Sequence, residues 1–372
     1  MEPIGVYIHV PFCVQKCPYC DFYSAPPRNE AALDAYTAGV VAAMERWAAR
    51  VDAPADTLYF GGGTPSLLGG ERLARILEAA RRHFRLFSLP RTEVTLEANP
   101  ADDLYETLAS FAAAGGNRLS LGMQSADPAE LQALGRRHTP ADLERTAADA
   151  RRAGIRNLSL DLMLGIPRQT EDSVRESVRC IAGLGATHAS AYLLKLEPGT
   201  PFGACPPPIP EEDAAADLYE TAMETLEAAG YRQYEISNAA LPGWESRHNL
   251  KYWNSEPYLG IGPAASSCLG CKRFQYPRDT AAFLAGQEPR EEAEEGIPVG
   301  SPKEYALLRL RLTEGLTQAG FSARFGRPIP ALWRKRAAQL PPALVTADAE
   351  GIRFSRRGFL VSNTLIGHIL TE

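Results

Sequence analysis

Long apolar runs are missing from this chain of 372 residues. None approaches the roughly 20 residues that a membrane-spanning helix needs, so the sequence predicts no integral membrane segment. Positive charge is not in excess either: 39 Lys and Arg face 45 Asp and Glu, for a net charge of −6. No field of the whole protein therefore draws it to nucleic acid; peripheral association with a membrane stays open. The opening "MEPIGVYIHV" has no basic n-region and no small-residue cleavage site, so no signal peptide is expected and the predicted location is cytoplasmic. Neither a repeat of solenoid period nor a low-complexity tract occurs. Cysteine is scarce, with seven in the chain. In a reducing compartment clustered cysteines are metal ligands or catalytic groups more often than disulfides.

Three of the seven crowd into "HVPFCVQKCPYC" (9–20), as Cys13, Cys17 and Cys20 in a C-x3-C-x2-C spacing. A structural zinc site takes four N or S ligands, usually as two separated pairs, and buried unliganded thiols seldom cluster so tightly. A 4Fe–4S cluster usually takes four cysteines; with three, one iron is left free to bind something else. That suits a catalytic cluster better than an electron carrier. A second pair, "CLGC" (268–271), has no matching partner pair and reads as incidental; Cys180 sits in a helical pattern and reads as core, and Cys205 falls in the proline-rich "CPPPIPEED" (205–213) with no evident partner.

Short apolar runs alternate with amphipathic stretches through the first part of the chain. Strands are expected at Ile4–Val10, Thr57–Gly61, Glu93–Ala98, Arg118–Gly122, Asn157–Met163 and His188–Leu194, with a weaker seventh at Gln233–Ile236. Helical periodicity fills the intervals, as in 31–50, 71–84, 104–114, 141–153, 171–184 and 213–229. Such alternation implies a parallel sheet covered by helices. An open doubly wound sheet and a barrel both fit; polar or glycine-rich clusters after nearly every strand favour the barrel, whose active site lies on those loops. The organisation expected is a barrel over 1–237, a loop-rich connecting region over 238–300 ending in the acidic, solvated run "REEAEEG" (290–296), and a small α+β unit over 301–372. In that unit helices are expected at 302–313, 317–325, 329–338 and 359–370, with strands at 344–346 and 352–354.

Further polar groups gather at the predicted strand ends. "LYFGGGTPS" (58–66) places Gly62, Gly63 and Thr64 after the second strand, where glycine lets backbone amides approach a ligand. "TLEANP" (95–100) offers Glu97, "LGMQS" (121–125) Gln124 and "LGRRH" (134–138) Arg136. Asp161 interrupts the apolar "LSLDLMLGIP" (158–167), at a cost of several kcal/mol unless it is partnered. Each could be a paired structural residue; together they put polar groups at the ends of strands two to five.

The C-x3-C-x2-C run with Tyr19 before its last cysteine, followed by "GGGTP", "LEANP", "LGMQS" and "LGIP", resembles the HemN/HemW family of radical S-adenosylmethionine proteins, from Tyr7 to about Pro167 and again downstream. The resemblance implies a partial (β/α)6 barrel with a winged-helix-like C-terminal domain. It implies that Cys13, Cys17 and Cys20 hold the 4Fe–4S cluster, and that Tyr7, Tyr19, Gly62, Gly63, Thr64, Glu97, Gln124, Arg136 and Asp161 line the S-adenosylmethionine region.

The family includes oxygen-independent coproporphyrinogen III dehydrogenases and haem chaperones of the HemW type. The dehydrogenases carry a further cysteine two positions after the third ligand, where this chain has Phe22, and an N-terminal extension, where only twelve residues precede Cys13. "RHNLKYWN" (247–254) carries the H-N-x-x-Y-W signature of the chaperone branch. The resemblance thus implies a haem chaperone that delivers haem to acceptor proteins and draws on an electron donor. His248 is a candidate haem ligand and Tyr252 and Trp253 are candidates to stack on the macrocycle. The simpler reading of the same motif is a hydrogen-bonded histidine with aromatics that anchor a loop. A coproporphyrinogen III dehydrogenase, a radical methyltransferase and a protein with a structural or regulatory cluster are the alternatives.

Overall fold

The computed structural model describes residues 2–89, 91–100, 103–292 and 296–371. Six strands run parallel in chain order: β1 Ile4–Val10, β2 Ala55–Gly62, β3 Glu93–Ala98, β4 Arg118–Gln124, β5 Asn157–Leu164 and β6 His188–Leu193. Parallel neighbours need a crossover, and helices Glu30–Ala48, Gly69–Phe84, Tyr105–Ala113, Pro140–Arg152 and Glu171–Gly183 supply one between each pair. Capping boxes at Thr139 and Thr170 start the last two, satisfying amide donors that the first turn leaves unpaired. Because strand order never reverses, the sheet has no topological switch point of the doubly wound kind. It is the expected partial (β/α)6 barrel.

The barrel is open, and both of its edges are extended. At one edge β6 pairs antiparallel with β8 (Asn238–Ala240), which pairs with β7 (Arg232–Gln233). The seventh strand expected at Gln233–Ile236 is thus displaced: Tyr234–Ser237 forms the turn between β7 and β8, held by Glu235 accepting from the Ser237 amide at 3.1 Å. At the other edge β9 (Tyr258–Ile261) lies parallel to β1, and β10 (Ser266–Leu269), β11 (Lys272–Gln275) and β12 (Arg290–Glu291) continue antiparallel. The weakly periodic segment 238–300 therefore builds sheet on both sides of the barrel. Residues 293–295 of its acidic run lie outside the described residues.

Alternation within the strands sorts the two faces. Val6, Ile8, Leu58, Phe60, Val94, Leu96, Leu119, Leu121, Leu158 and Leu160 are buried in the core beneath the helices. The alternate residues, among them Tyr59, Glu97, Arg118, Ser120, Gln124, Asp161 and Ser190, line a cavity of about 660 Å³ inside the barrel. A second hydrophobic cluster, including Leu310, Phe321, Ile352 and Ile369, belongs to the C-terminal unit. There β13 (Leu316–Thr317), β15 (Gly351–Phe354) and β14 (Val345–Ala347) form an antiparallel sheet in that order. Helices Pro302–Arg309, Gln318–Phe325 and Ala331–Ala337 precede the β14–β15 wing, a winged-helix-like arrangement. The final helix expected at 359–370 is two, Arg356–Leu360 and Ser362–Leu370, broken at Val361.

Candidate functional site

The cysteine loop leaves β1 and returns as Phe12 bridges to Ala25, with the Cys13 amide donating to Ala25 O at 3.1 Å. Its inner side rests on the glycine run. Gly63 N donates to Val10 O and Thr64 N to Phe12 O, at 2.8 and 2.6 Å. A β-carbon on Gly63 would stand 2.3 Å from Phe12 O, and one on Gly62, whose φ is +108°, would strike the His9 ring. These glycines are thus required first by backbone-to-backbone packing against the loop. The sequence reading had assigned their freedom to ligand approach; Gly62 and Gly63 also line the cavity.

Cys13, Cys17 and Cys20 are free thiols that line the cavity mouth. Among the described residues no three His, Cys, Asp or Glu side chains converge on a single ion. Three thiols spread around one cavity mouth match a cluster that takes one thiolate at each of three corners better than one tetrahedral zinc ion. Burial pushes the Cys20 thiol up; iron ligation would draw its proton off. The neighbours are polar and connected. Thr64 Oγ1 donates to Cys13 Sγ at 3.3 Å and accepts from Asn99 Nδ2 at 2.9 Å. Arg136 Nη2 reaches Asn99 Oδ1 and Gly122 O at 2.7 and 2.6 Å, while its Nη1 approaches Cys17 Sγ at 3.7 Å and Tyr19 OH at 3.4 Å. A guanidinium anchored on Gly122 of β4 thus faces the loop.

Deeper in the cavity stand two carboxyls. Glu97 accepts from Tyr59 OH at 2.8 Å and from the Gly62 amide at 3.2 Å. Burial raises it to about 7, against those two hydrogen bonds. Asp161 accepts from Ser120 Oγ at 3.3 Å, and burial raises it to about 6. Two enclosed, destabilised carboxylates beside an open cavity are suited to a cationic ligand, because a positive charge would return them to the ionised form. S-adenosylmethionine carries a sulfonium and an ammonium, and so fits this donor set. Gln124, at φ +65°, accepts from Tyr192 OH at 3.0 Å on the same wall.

The structure brings Cys13, Cys17, Cys20, Tyr19, Gly62, Gly63, Glu97, Gln124, Arg136 and Asp161 onto this one cavity. Thr64 lies behind the loop. Tyr7 is behind Glu97, its hydroxyl 3.1 Å from His9 Nδ1. His248, Tyr252 and Trp253 are not brought to the cavity. Helix Arg247–Trp253 closes the barrel at the N-terminal ends of the strands, where Glu93 at the start of β3 accepts from the amides of Arg247 and His248. His248 is 1% exposed. Its Nδ1 meets Thr57 Oγ1 at 2.8 Å and its Nε2 meets Tyr252 OH at 2.7 Å, and burial lowers it to about 3. With both ring nitrogens engaged, His248 presents no free atom to an iron. In this structure hydroxyls take up both ring nitrogens, and the neighbouring Asn249 is the one that reaches the cavity floor.

Several cavity residues escaped the sequence reading: Arg118, Asn99, Tyr59, Ser190 and Tyr192. A period-2 pattern of polar residues within apolar strands marks Tyr59, Ser190 and Tyr192, visible in "HASAYL"; Asn99 follows the end of β3 and Arg118 opens β4. Cys268 and Cys271 lie at the β10–β11 hairpin, outside the cavity.

A family model described as the radical SAM superfamily matches residues 7–181. The chain is 38% identical over 381 residues to the heme chaperone HemW of Mycobacterium tuberculosis, covering 99% of this chain and 95% of that protein. It is 34% identical to the heme chaperone HemW of Escherichia coli, over 100% and 99% of the two chains. Coproporphyrinogen III oxidase (HemN) from Escherichia coli, described as a radical SAM enzyme, has the same fold: the TM-score is 0.82 over 100% of this chain and 90% of that one, at 20% identity.

Proposed function

This chain belongs to the HemW family of the radical SAM superfamily, and from that premise we propose that it is a haem chaperone, binding haem and passing it to acceptor proteins. The observation that carries the reading is the 38% identity to a heme chaperone over 99% of the chain, against 20% to the coproporphyrinogen oxidase with which it shares the fold. Phe22, 64% exposed at the cavity mouth, supports it, standing where the resemblance puts a cysteine in the dehydrogenases.

In this reading Cys13, Cys17 and Cys20 hold a 4Fe–4S cluster, which when bound supplies one-electron reduction and an open iron. Arg136 and Thr64 steady two of the sulfurs by hydrogen bonding. Glu97, Asp161 and Gln124 form the polar wall for S-adenosylmethionine. Tyr7, Tyr19, Gly62 and Gly63 support that wall or the loop above it. The partners are haem-accepting proteins and an electron donor. Among the described residues no helix is long and apolar enough to cross a membrane.

The test is anaerobic reconstitution followed by three parallel assays: haem titration by absorption, S-adenosylmethionine cleavage, and decarboxylation of coproporphyrinogen III. Stoichiometric haem binding with no decarboxylation is expected. Turnover of coproporphyrinogen III by the reconstituted protein would replace the chaperone reading with the dehydrogenase one.

A further inference from the structure

Large apolar side chains gather at the opening of the cavity. Seven are exposed among the described residues. Phe22, 64% exposed, and Leu193, 38% exposed, line the cavity itself. Val14 lines the small pocket beside it, which shares Cys13 and Cys17 with the cavity. A single exposed apolar residue needs no explanation, but three of seven around one opening form a patch. Phe22 belongs to the segment after β1 and Leu193 ends β6, the first and last of the six parallel strands. They therefore come from opposite edges of the open barrel. The chain segments that follow those two strands meet where Phe202 N donates to Pro18 O at 3.0 Å. A third hydrophobic cluster lies there: Leu134, Met163 and Ile166 are buried, while Tyr19, Tyr192, Leu194 and Phe202 are only partly so. Tyr19, Tyr192 and Leu194 also line the cavity, so apolar surface runs along its mouth from the cysteine loop to the end of β6.

The charge at the mouth differs from that inside. The deeper carboxyls, Glu97 and Asp161, suit a cation; the mouth suits the opposite. Its acidic residues, Asp21 and Glu197, each have a cation close by: Arg278 is 3.5 Å from Asp21 and Lys195 is 2.7 Å from Glu197. An ammonium has three donors, so that one contact leaves Lys195, with its side chain 79% exposed, able to take a second carboxylate. Lys16, exposed on the cysteine loop, lines the same cavity. A ligand with a broad apolar body and two carboxylates matches this combination, and haem has that form.

We propose that haem docks at this mouth, with its macrocycle against Phe22, Leu193 and Leu194 and its two propionates toward Lys16 and Lys195. The proposal rests on the chaperone reading and gives it a site. That site lies apart from His248, whose ring nitrogens both have hydroxyl partners. Exposed ion pairs are weak and the mouth is open, so haem held there stays within reach of an acceptor protein.

Absorption titration of haem into the reconstituted protein tests this. Phe22→Ser combined with Leu193→Ser is expected to weaken binding about tenfold or more, because two large apolar side chains lose their contact with the ring. Lys16→Glu combined with Lys195→Glu should weaken haem about tenfold. The same lysine changes should leave the affinity for haem dimethyl ester, whose esterified propionates carry no charge, at the wild-type value. Should a double variant lose the cluster, Leu193→Ser and Lys195→Glu, both away from the cysteine loop, carry the same test singly. Native haem affinity in either double variant, or equal weakening of haem and its ester by the lysine changes, overturns the proposal and leaves the chaperone reading standing. A wild type that binds no haem overturns both.

Discussion

Removing His248 separates a structural histidine from a haem ligand. In His248→Ala two buried hydroxyls, Thr57 Oγ1 and Tyr252 OH, lose partners at 2.8 and 2.7 Å. Each stranded group costs about 1–3 kcal/mol. The empty space also withdraws packing from Tyr59, whose ring centre lies 5.1 Å from the imidazole. Some relaxation is expected, so the total is about 2–4 kcal/mol, or a fall in Tm of roughly 3–5 °C. The haem absorption spectrum of the folded variant should match the wild type. A pH signature accompanies the loss. The folded imidazole is held near 3 while the unfolded one titrates near its ordinary value of 6.5. Its contribution to stability is therefore complete above pH 6.5 and declines as the pH falls toward 3, because only the unfolded chain takes up the proton. Between pH 6.5 and 5 the gap between wild type and variant should narrow by roughly 2 kcal/mol. Calorimetry and haem absorption on the same samples check both. An unchanged Tm together with a shifted Soret band would refute the reasoning and restore His248 as an iron ligand.

Glu97→Gln is expected to stabilise the ligand-free protein by about 2–3 kcal/mol at pH 8 and to add nothing at pH 4.5. The folded carboxyl sits near 7 against 4.5, so its burden accumulates as the pH rises through that window; the same variant should bind S-adenosylmethionine more weakly, and thermal scans at the two pH values check the sign. Gly63→Ala, with a β-carbon 2.3 Å from Phe12 O, should cost about 1–3 kcal/mol and lower the iron retained after reconstitution; full iron content with an unshifted Tm would contradict the packing account. Alanine at Cys13, Cys17 and Cys20 together should abolish a cluster of about four irons per chain, measured as iron and acid-labile sulfide, whereas alanine at Cys180 or Cys205 should leave it intact.

The six barrel strands were legible because each is buried on the outside by helices, and so carries a dense apolar signal; their ends fall within two residues of the sequence reading. The cysteines were legible from spacing alone. β9 was not: "YLGI" is short, flanked by proline and glycine, and finds its partner β1 about 250 residues earlier, a pairing no local pattern encodes. Arg118 was hidden for the opposite reason, since a lone arginine at a strand start reads as a solvated end until the barrel closes around it. His248 was visible, but its role was not. A histidine next to two aromatics offers the same residues to a macrocycle or to a packed floor, and the Thr57 contact that favours the floor is visible only in three dimensions.

The central position of β1 has a consequence for how the molecule is made. β1 emerges first from the ribosome, yet one of its flanking strands, β9, comes about 250 residues later. The cysteine loop waits as well: its far side is held by Arg278 donating to Asp21 O and by the Thr280 amide donating to Tyr23 OH. At roughly 5–20 residues per second, the three thiols spend tens of seconds in the nascent chain before those supports exist. Iron and sulfide delivered in that interval would meet a loop without these two supports. The same delay leaves these thiols open to oxidation, and synthesis under air should yield apoprotein with scrambled disulfides near the N-terminus.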